Sequence, residues 1–280
     1  MKVFVSMDLE GLAGIASWSE VAPKISKEVA ELVEEHVKAV LRGIEESGVS
    51  VDQVLIADSH ASGDNIPYAI TRECTNVSVV RGALRRNYMM SGLDGSFDRV
   101  IFLGYHAGVG TLNAVMDHTY SGSIVQNIWI NNMKMNEALI NAGFAGHFDV
   151  PLALVVGDSS LKRELEDAGL NSLHYVVTKE GLSRYAAVMK PLRVVLEEIR
   201  AETALSMKRS RSELPVVKYE TPVQLKMELK DTSFADGMSL MPGVKRLDGR
   251  TIVFESDDYE VVFNALLAAL YIGYSIKGMK

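Results

Sequence analysis

Short apolar runs alternating with amphipathic stretches constrain this chain more than any other feature. Val3 to Met7, Val54 to Ala57, Val77 to Val80, Arg99 to Gly104 and Pro151 to Val156 each read as a buried strand. Between the first two, Ile25, Val29, Leu32, Val33, His36, Val37, Val40, Leu41 and Ile44 recur at helical spacing, and Gly48 supplies a stop. A further helix is expected between Met135 and Gly146. Strands that alternate with helices bury both faces of a sheet. The fold class is therefore α/β, a mostly parallel sheet flanked by helices.

The second half has a different rhythm. Ser183 to Met207 reads as one long helix. Val223, Leu225, Met227 and Leu229 alternate with polar residues, the mark of a half-buried strand, and Pro222 just before them suggests a strand start or a sheet edge. Val244 to Arg246 and Thr251 to Glu255 flank Asp248-Gly249, a hairpin turn signal. The apolar tract Val261 to Ile276 contains Asn264 and Ser275 and is shorter than the ~20 residues that span a bilayer, so it reads as a buried terminal helix. These changes predict a larger α/β catalytic domain over residues 1–190 and a smaller α+β domain over 191–280.

Composition narrows the chemistry. The 280 residues are 48% hydrophobic, enough for a large core, and carry a net charge of −7. The densest basic stretch, Lys208 to Arg211, is short and polar, so it reads as a solvated linker rather than a phosphate-binding patch. Neither a nucleic acid nor a membrane is expected as a partner. The single cysteine, Cys74, excludes an internal disulfide and a cysteine-rich zinc site, and it fits a reducing compartment. Met1-Lys2-Val3-Phe4-Val5 enters a strand with no apolar leader, and a cytoplasmic location is the expectation. Any metal must be held by His, Asp and Glu.

Such residues gather at strand ends. Asp8 and Glu10 are two apart, so both project to the same face just beyond Val3 to Met7, where two carboxylates repel unless a cation compensates them. The run Ile56-Ala57-Asp58-Ser59-His60 ends in a histidine, and so does Ile101-Phe102-Leu103-Gly104-Tyr105-His106. Taken singly, either histidine reads as structural. Their repetition at the carboxyl ends of parallel strands, where ligands bind, points to a site. His118, in Met116-Asp117-His118-Thr119, and Glu137, at a helix start, lie downstream; alone they read as a loop histidine and a dipole-compensating glutamate. His36, His147 and His174 receive no role.

Ser6-Met7-Asp8-Leu9-Glu10-Gly11, Asp58-Ser59-His60, Gly104-Tyr105-His106, Met116-Asp117-His118-Thr119, the Glu137 segment through Ala142-Gly143, and Leu240-Met241-Pro242-Gly243 resemble, in order and spacing, the zinc-dependent D-aminopeptidases once named dipeptide transport proteins. The resemblance covers nearly the whole chain. It implies two zinc ions per chain held by Asp8, Glu10, His60, His106 and Glu137, with Asp8 bridging, and His118 as the catalytic group. It also implies short peptides with an N-terminal D-residue as substrates, and a homo-oligomer: a decamer of two stacked five-membered rings whose sites face an internal channel. Asn136 and Leu139 stand where the family often has glycine, and Gly157-Asp158-Ser159 where it often has Gly-Asp-Asp.

The charge count suits that implication. Asp8, Glu10 and Glu137 supply three negative charges against four positive ones on two divalent metals. His118 then either moves protons for an attacking water or attacks the carbonyl itself. The alternatives are another two-metal hydrolase, such as a phosphoesterase or amidase, and a non-enzymatic peptide-binding component of a dipeptide uptake system.

Overall fold

The computed structural model describes residues 1–72 and 74–279. The chain opens with β1 (Lys2–Met7), a short helix α1 (Trp18–Val21), the long α2 (Lys27–Glu46), β2 (Gln53–Asp58), β3 (Val77–Val80) and β4 (Arg99–Tyr105). It continues through β5 (Val125–Ile130), β6 (Met133–Lys134), α3 (Glu137–His147), β7 (Leu152–Gly157), α4 (Ser159–Asp167) and β8 (His174–Val177). The remainder holds β9 (Lys179–Ser183), β10 (Ala186–Met189), α5 (Leu192–Lys208), β11 (Val223–Leu229), α6 (Thr232–Met238), β12 (Lys245–Arg246), β13 (Thr251–Ser256) and α7 (Tyr259–Met279).

The main sheet has the order β3-β2-β1-β4-β7-β8, and all its pairings are parallel. From β1 the chain lays β2 and β3 outward on one side, then returns to lay β4, β7 and β8 outward on the other. The reversal falls between β1 and β4, and a crevice opens there beyond the carboxyl ends of the strands. Alternation along β1 divides the core. Val3, Val5 and Met7 face the layer built on α2 and α5, and Phe4 faces the layer holding α3 and α7. The fold is α/β, as the strand–helix alternation predicts.

A second, antiparallel sheet has the order β12-β13-β11-β5-β6. Two of its strands, β5 and β6, come from before residue 190, and α5, just after it, packs on α2, β7 and β8 of the main sheet. β11 starts right after Pro222 and is an inner strand, paired on both sides. β12 and β13 form the hairpin expected around Asp248-Gly249. The helix expected from Ser183 starts only at Leu192, because Pro191 at its N-cap cannot follow a helical residue without a clash. Residues 179–189 form the separate β9–β10 hairpin instead. α7 is longer than the tract read from the sequence: its 21 residues meet the length and apolarity of a membrane span, and Val262, Phe263, Leu266 and Leu270 bury one side of it against the core.

At the crevice the ends of β1 and β4 touch backbone to backbone. Gly11 N–H donates to Gly104 O at 2.7 Å, and Asp8 N–H to Leu103 O at 2.8 Å. A Cβ on Gly11 would stand 1.8 Å from Tyr105 O, and one on Gly104, whose φ is +77°, would stand 2.1 Å from Asp8 O. Only glycine permits this approach. Gly11→Ala is expected to cost about 3 kcal/mol or more in thermal or urea unfolding. Gly278→Ala, where a Cβ meets open space within α7, is expected to stabilise by up to about 1 kcal/mol. Equal effects would sink the close-approach argument.

Candidate metal centre

Asp8 and Glu10 follow β1 directly, and the turn that carries them is pinned from beneath. Lys179, at the start of β9 and fully buried, donates from Nζ to the carbonyl oxygens of Glu10, Leu12 and Ile15. Burial pulls its pKa down to about 8. His36 holds the same turn: its Nδ1–H donates to Leu32 O at 2.7 Å, and its Nε2 accepts from Ala13 N–H at 3.3 Å. It is a core histidine with both ring nitrogens partnered.

His60 is delivered by the loop after β2. Asp58 braces that loop by accepting from Asn65 N–H, Ile66 N–H and Asn65 Nδ2, and Asn65 Nδ2 also donates to His60 O. His60 Nδ1 then lies 3.0 Å from Glu10 Oε2 and 3.3 Å from Asp8 Oδ1. His106 follows β4. Its Nδ1–H donates to Ala107 O at 2.9 Å, which turns Nε2 inward to 3.7 Å from Asp8 Oδ2 and 3.6 Å from Glu137 Oε1. Asp158, the N-cap of α4, fixes the chain after His106 by accepting from Ala107 N–H. Glu137 opens α3, whose N-cap Asn136 accepts from Leu139 N–H and donates to Glu164. Tyr120 N–H donates to Glu137 Oε1 at 2.6 Å.

The loop between β4 and β5 brings in His118. Its ring stacks on His106, with centroids 4.3 Å apart and planes 8° from parallel, and Trp18 meets it edge-on at 5.0 Å. Its Nδ1–H donates to Met116 O at 2.9 Å, so Nε2 carries the lone pair and faces Glu137 Oε1 at 3.7 Å. All six residues singled out in the sequence thus meet in one place, and all six are buried.

The donor atoms fall into overlapping triads, each within 4.8 Å: Asp8, Glu10 and His60; Asp8, His106 and Glu137; and Glu10, His106 and His118. Their electrostatics are set by three buried carboxylates facing three buried imidazoles. Burial and the neighbouring Glu10 push the Asp8 carboxyl up to about 7. Burial disfavours charge on His60 and His106, yet the carboxylates outweigh it, holding His60 well above its ordinary value and lifting His106 to about 10. Burial and the stacked His106 lower His118. Protons on the imidazoles thus balance the carboxylates, the position that a bound divalent cation would take over. His106 Nε2 is also buried with no hydrogen-bond partner among the described residues, as a ligand nitrogen would be. The donor set of imidazole and carboxylate fits zinc or a similar divalent metal.

The cluster floors a cavity of about 450 Å³ walled by Trp18, Tyr88, Tyr120, Ser121, Gly122, Arg184, Tyr185 and Tyr274. Sequence reasoning did not find these wall residues, nor Lys179. Arg184 and Tyr185 lay within an expected helix, although Gly181 and Ser183 mark a break there. The aromatic residues come from five separate segments with no shared pattern.

The chain is 28% identical over 270 residues to a D-aminopeptidase of Bacillus subtilis (strain 168), covering 95% of this chain and 96% of that one. Its fold matches the solved structure of the Zn-dependent D-aminopeptidase DppA from Bacillus subtilis, described as a self-compartmentalizing protease, with a TM-score of 0.89, 26% identity and 98% of both chains covered. The M55 peptidase family model, described as D-aminopeptidase, matches residues 1–268. This chain therefore belongs to the D-aminopeptidase family of M55 peptidases.

Proposed function

We propose that this protein is a zinc-dependent aminopeptidase that removes the N-terminal D-residue from short peptides at a two-metal site. The observation that carries this reading is the sharing of Asp8 between two donor triads, one completed by Glu10 and His60 and the other by His106 and Glu137. Asp8, Glu10, His60, His106 and Glu137 would hold two cations in such a set. The zinc named for the similar Bacillus subtilis enzyme supports the choice of metal. Bound there, zinc would polarise the peptide carbonyl and make nearby water acidic.

The chain's own groups supply the rest. The acidic cluster offers a place for the substrate's free amino end. His118 has its Nδ1–H committed to Met116 O, and its Nε2 opens on the cavity floor. A neutral imidazole with that lone pair takes a proton from an attacking water and returns it to the leaving amine. Trp18 and the stacked His106 hold the ring in one orientation.

The wider setting follows from similarity. The self-compartmentalizing character of the similar protease supports a homo-oligomer, which we take to be a decamer of two stacked five-membered rings. Sedimentation velocity would show a species of about ten chains; a monomer at micromolar concentration would rule the rings out. The single Cys74 supports a cytoplasmic location.

Elemental analysis, with release of D-alanine and L-alanine from their p-nitroanilides, tests the central reading. About two zinc ions per chain, and D-selective turnover that is lost on chelation and restored by zinc, are expected. No bound metal, and no activity after zinc is added, would defeat it. His118→Ala is expected to keep the zinc and lose about 10²- to 10⁴-fold in turnover. Loss of zinc in that variant would instead make His118 a ligand, through its triad with Glu10 and His106.

A further inference from the structure

We infer that Arg184 anchors the C-terminal carboxylate of the peptide, so that the site selects short peptides by their free carboxyl end; the inference rests on the aminopeptidase reading. Among the described residues that line the cavity, Arg184 is the one arginine, and no lysine lines it. It lies at the turn of the β9–β10 hairpin, which is fixed at both ends. Buried Lys179 ties the base to the turn bearing Glu10, and Arg184 O accepts from Met116 N–H at 2.7 Å, two residues before His118.

The guanidinium is held ready rather than left mobile. Nη1 pairs with Asp117 Oδ1 at 3.0 Å, Nε donates to Tyr185 Oη at 3.2 Å, and Asp117 is itself held by Gly110 N–H at 2.6 Å. These contacts engage Nη1 and Nε and leave Nη2 over Gly122. A Cβ built on Gly122 would stand 3.9 Å from Arg184 Nη2 and 3.5 Å from His118 Cβ. The cation and the Cβ of His118 therefore border one gap beside Gly122. An arginine fork can keep one carboxylate on one edge and receive a second on another.

The cavity thus places the metal-binding carboxylates and imidazoles on its floor and one cation, Arg184, on its wall. A short peptide matches this layout, because its scissile bond can sit over the floor while its carboxylate reaches Arg184 on the wall. An extended chain advances about 3.3–3.6 Å per residue, so a peptide cleaved beside His118 brings its carboxylate to the neighbouring wall after only one or two further residues. A peptide amide has the same shape without the charge.

The test compares D-alanylglycine with D-alanylglycinamide on the zinc-loaded wild type, Arg184→Ala and Arg184→Lys. Arg184→Ala is expected to lower kcat/KM for the free acid about 10- to 100-fold, mainly through KM, while the amide changes by less than about 3-fold. Arg184→Lys should recover part of the loss, since a point charge remains without the fork. An equal loss on both substrates would mean that Arg184 only braces the Asp117 loop, and would overturn the assignment. So would an acid-to-amide ratio unchanged from wild type. Wild-type protein that cleaves neither substrate would overturn the aminopeptidase reading itself, and the assignment with it.

Discussion

Asp8, Glu10 and Glu137 hold three carboxylates in a space nearly closed to solvent, and much of the surrounding structure answers that repulsion. Donor oxygens within 4.8 Å of each other repel by about 3–4 kcal/mol per pair of full charges at an effective dielectric near 20. Such a cluster persists only where positive charge is supplied and the backbone cannot relax away. His60 and His106 supply the charge as imidazolium, or give way to divalent cations. The second requirement explains the glycine contact between the ends of β1 and β4, and the three carbonyl oxygens gathered by Lys179.

The topology makes the convergence possible. β1 is the strand beside which the chain reverses direction across the sheet, so the loops after β1, β2 and β4 rise around one crevice. Beneath it runs a buried polar chain. Ser6 Oγ lies 2.7 Å from both Ser59 Oγ and Tyr105 Oη, Asn141 Nδ2 donates to Tyr105 Oη at 2.8 Å, and Tyr120 Oη donates to Asn141 Oδ1 at 2.7 Å. This network joins β1, the β2 loop, β4 and α3 to the cavity wall, the elements that present the six site residues. Fully partnered, it adds rigidity under the site without leaving a buried polar group unpaired.

Membership in the D-aminopeptidase family gives this rigidity a purpose. Amide hydrolysis needs the carbonyl, the attacking water and the proton-transfer group held in fixed relation. Here one helix start, one stacked ring pair and one braced loop hold Glu137, His106 with His118, and His60. One position that departs from the family pattern serves the same end: Asn136 caps α3 and so aims Glu137. Asp158, which keeps to the pattern, caps α4 while fixing the chain beyond His106.

By itself the sequence determined the strands of the main sheet and the residues at their ends. A parallel strand buried on both faces must be an unbroken apolar run, so a polar Asp, Glu or His directly after it is conspicuous at Asp8, Glu10, His60 and His106. His118 and Glu137 were legible only as parts of a resemblance, because a loop histidine and a first-turn glutamate are ordinary when read locally. The tertiary structure decided the rest. The second sheet pairs β5 with β11, and nothing local in either strand specifies a partner about a hundred residues away. The β9–β10 hairpin turns Leu182 and Val188 outward and Lys179 inward, the reverse of the alternation by which a half-buried strand is recognised. For that reason Lys179 and Arg184, one beneath the site and one on its wall, acquired their roles only when the chain brought the hairpin across it.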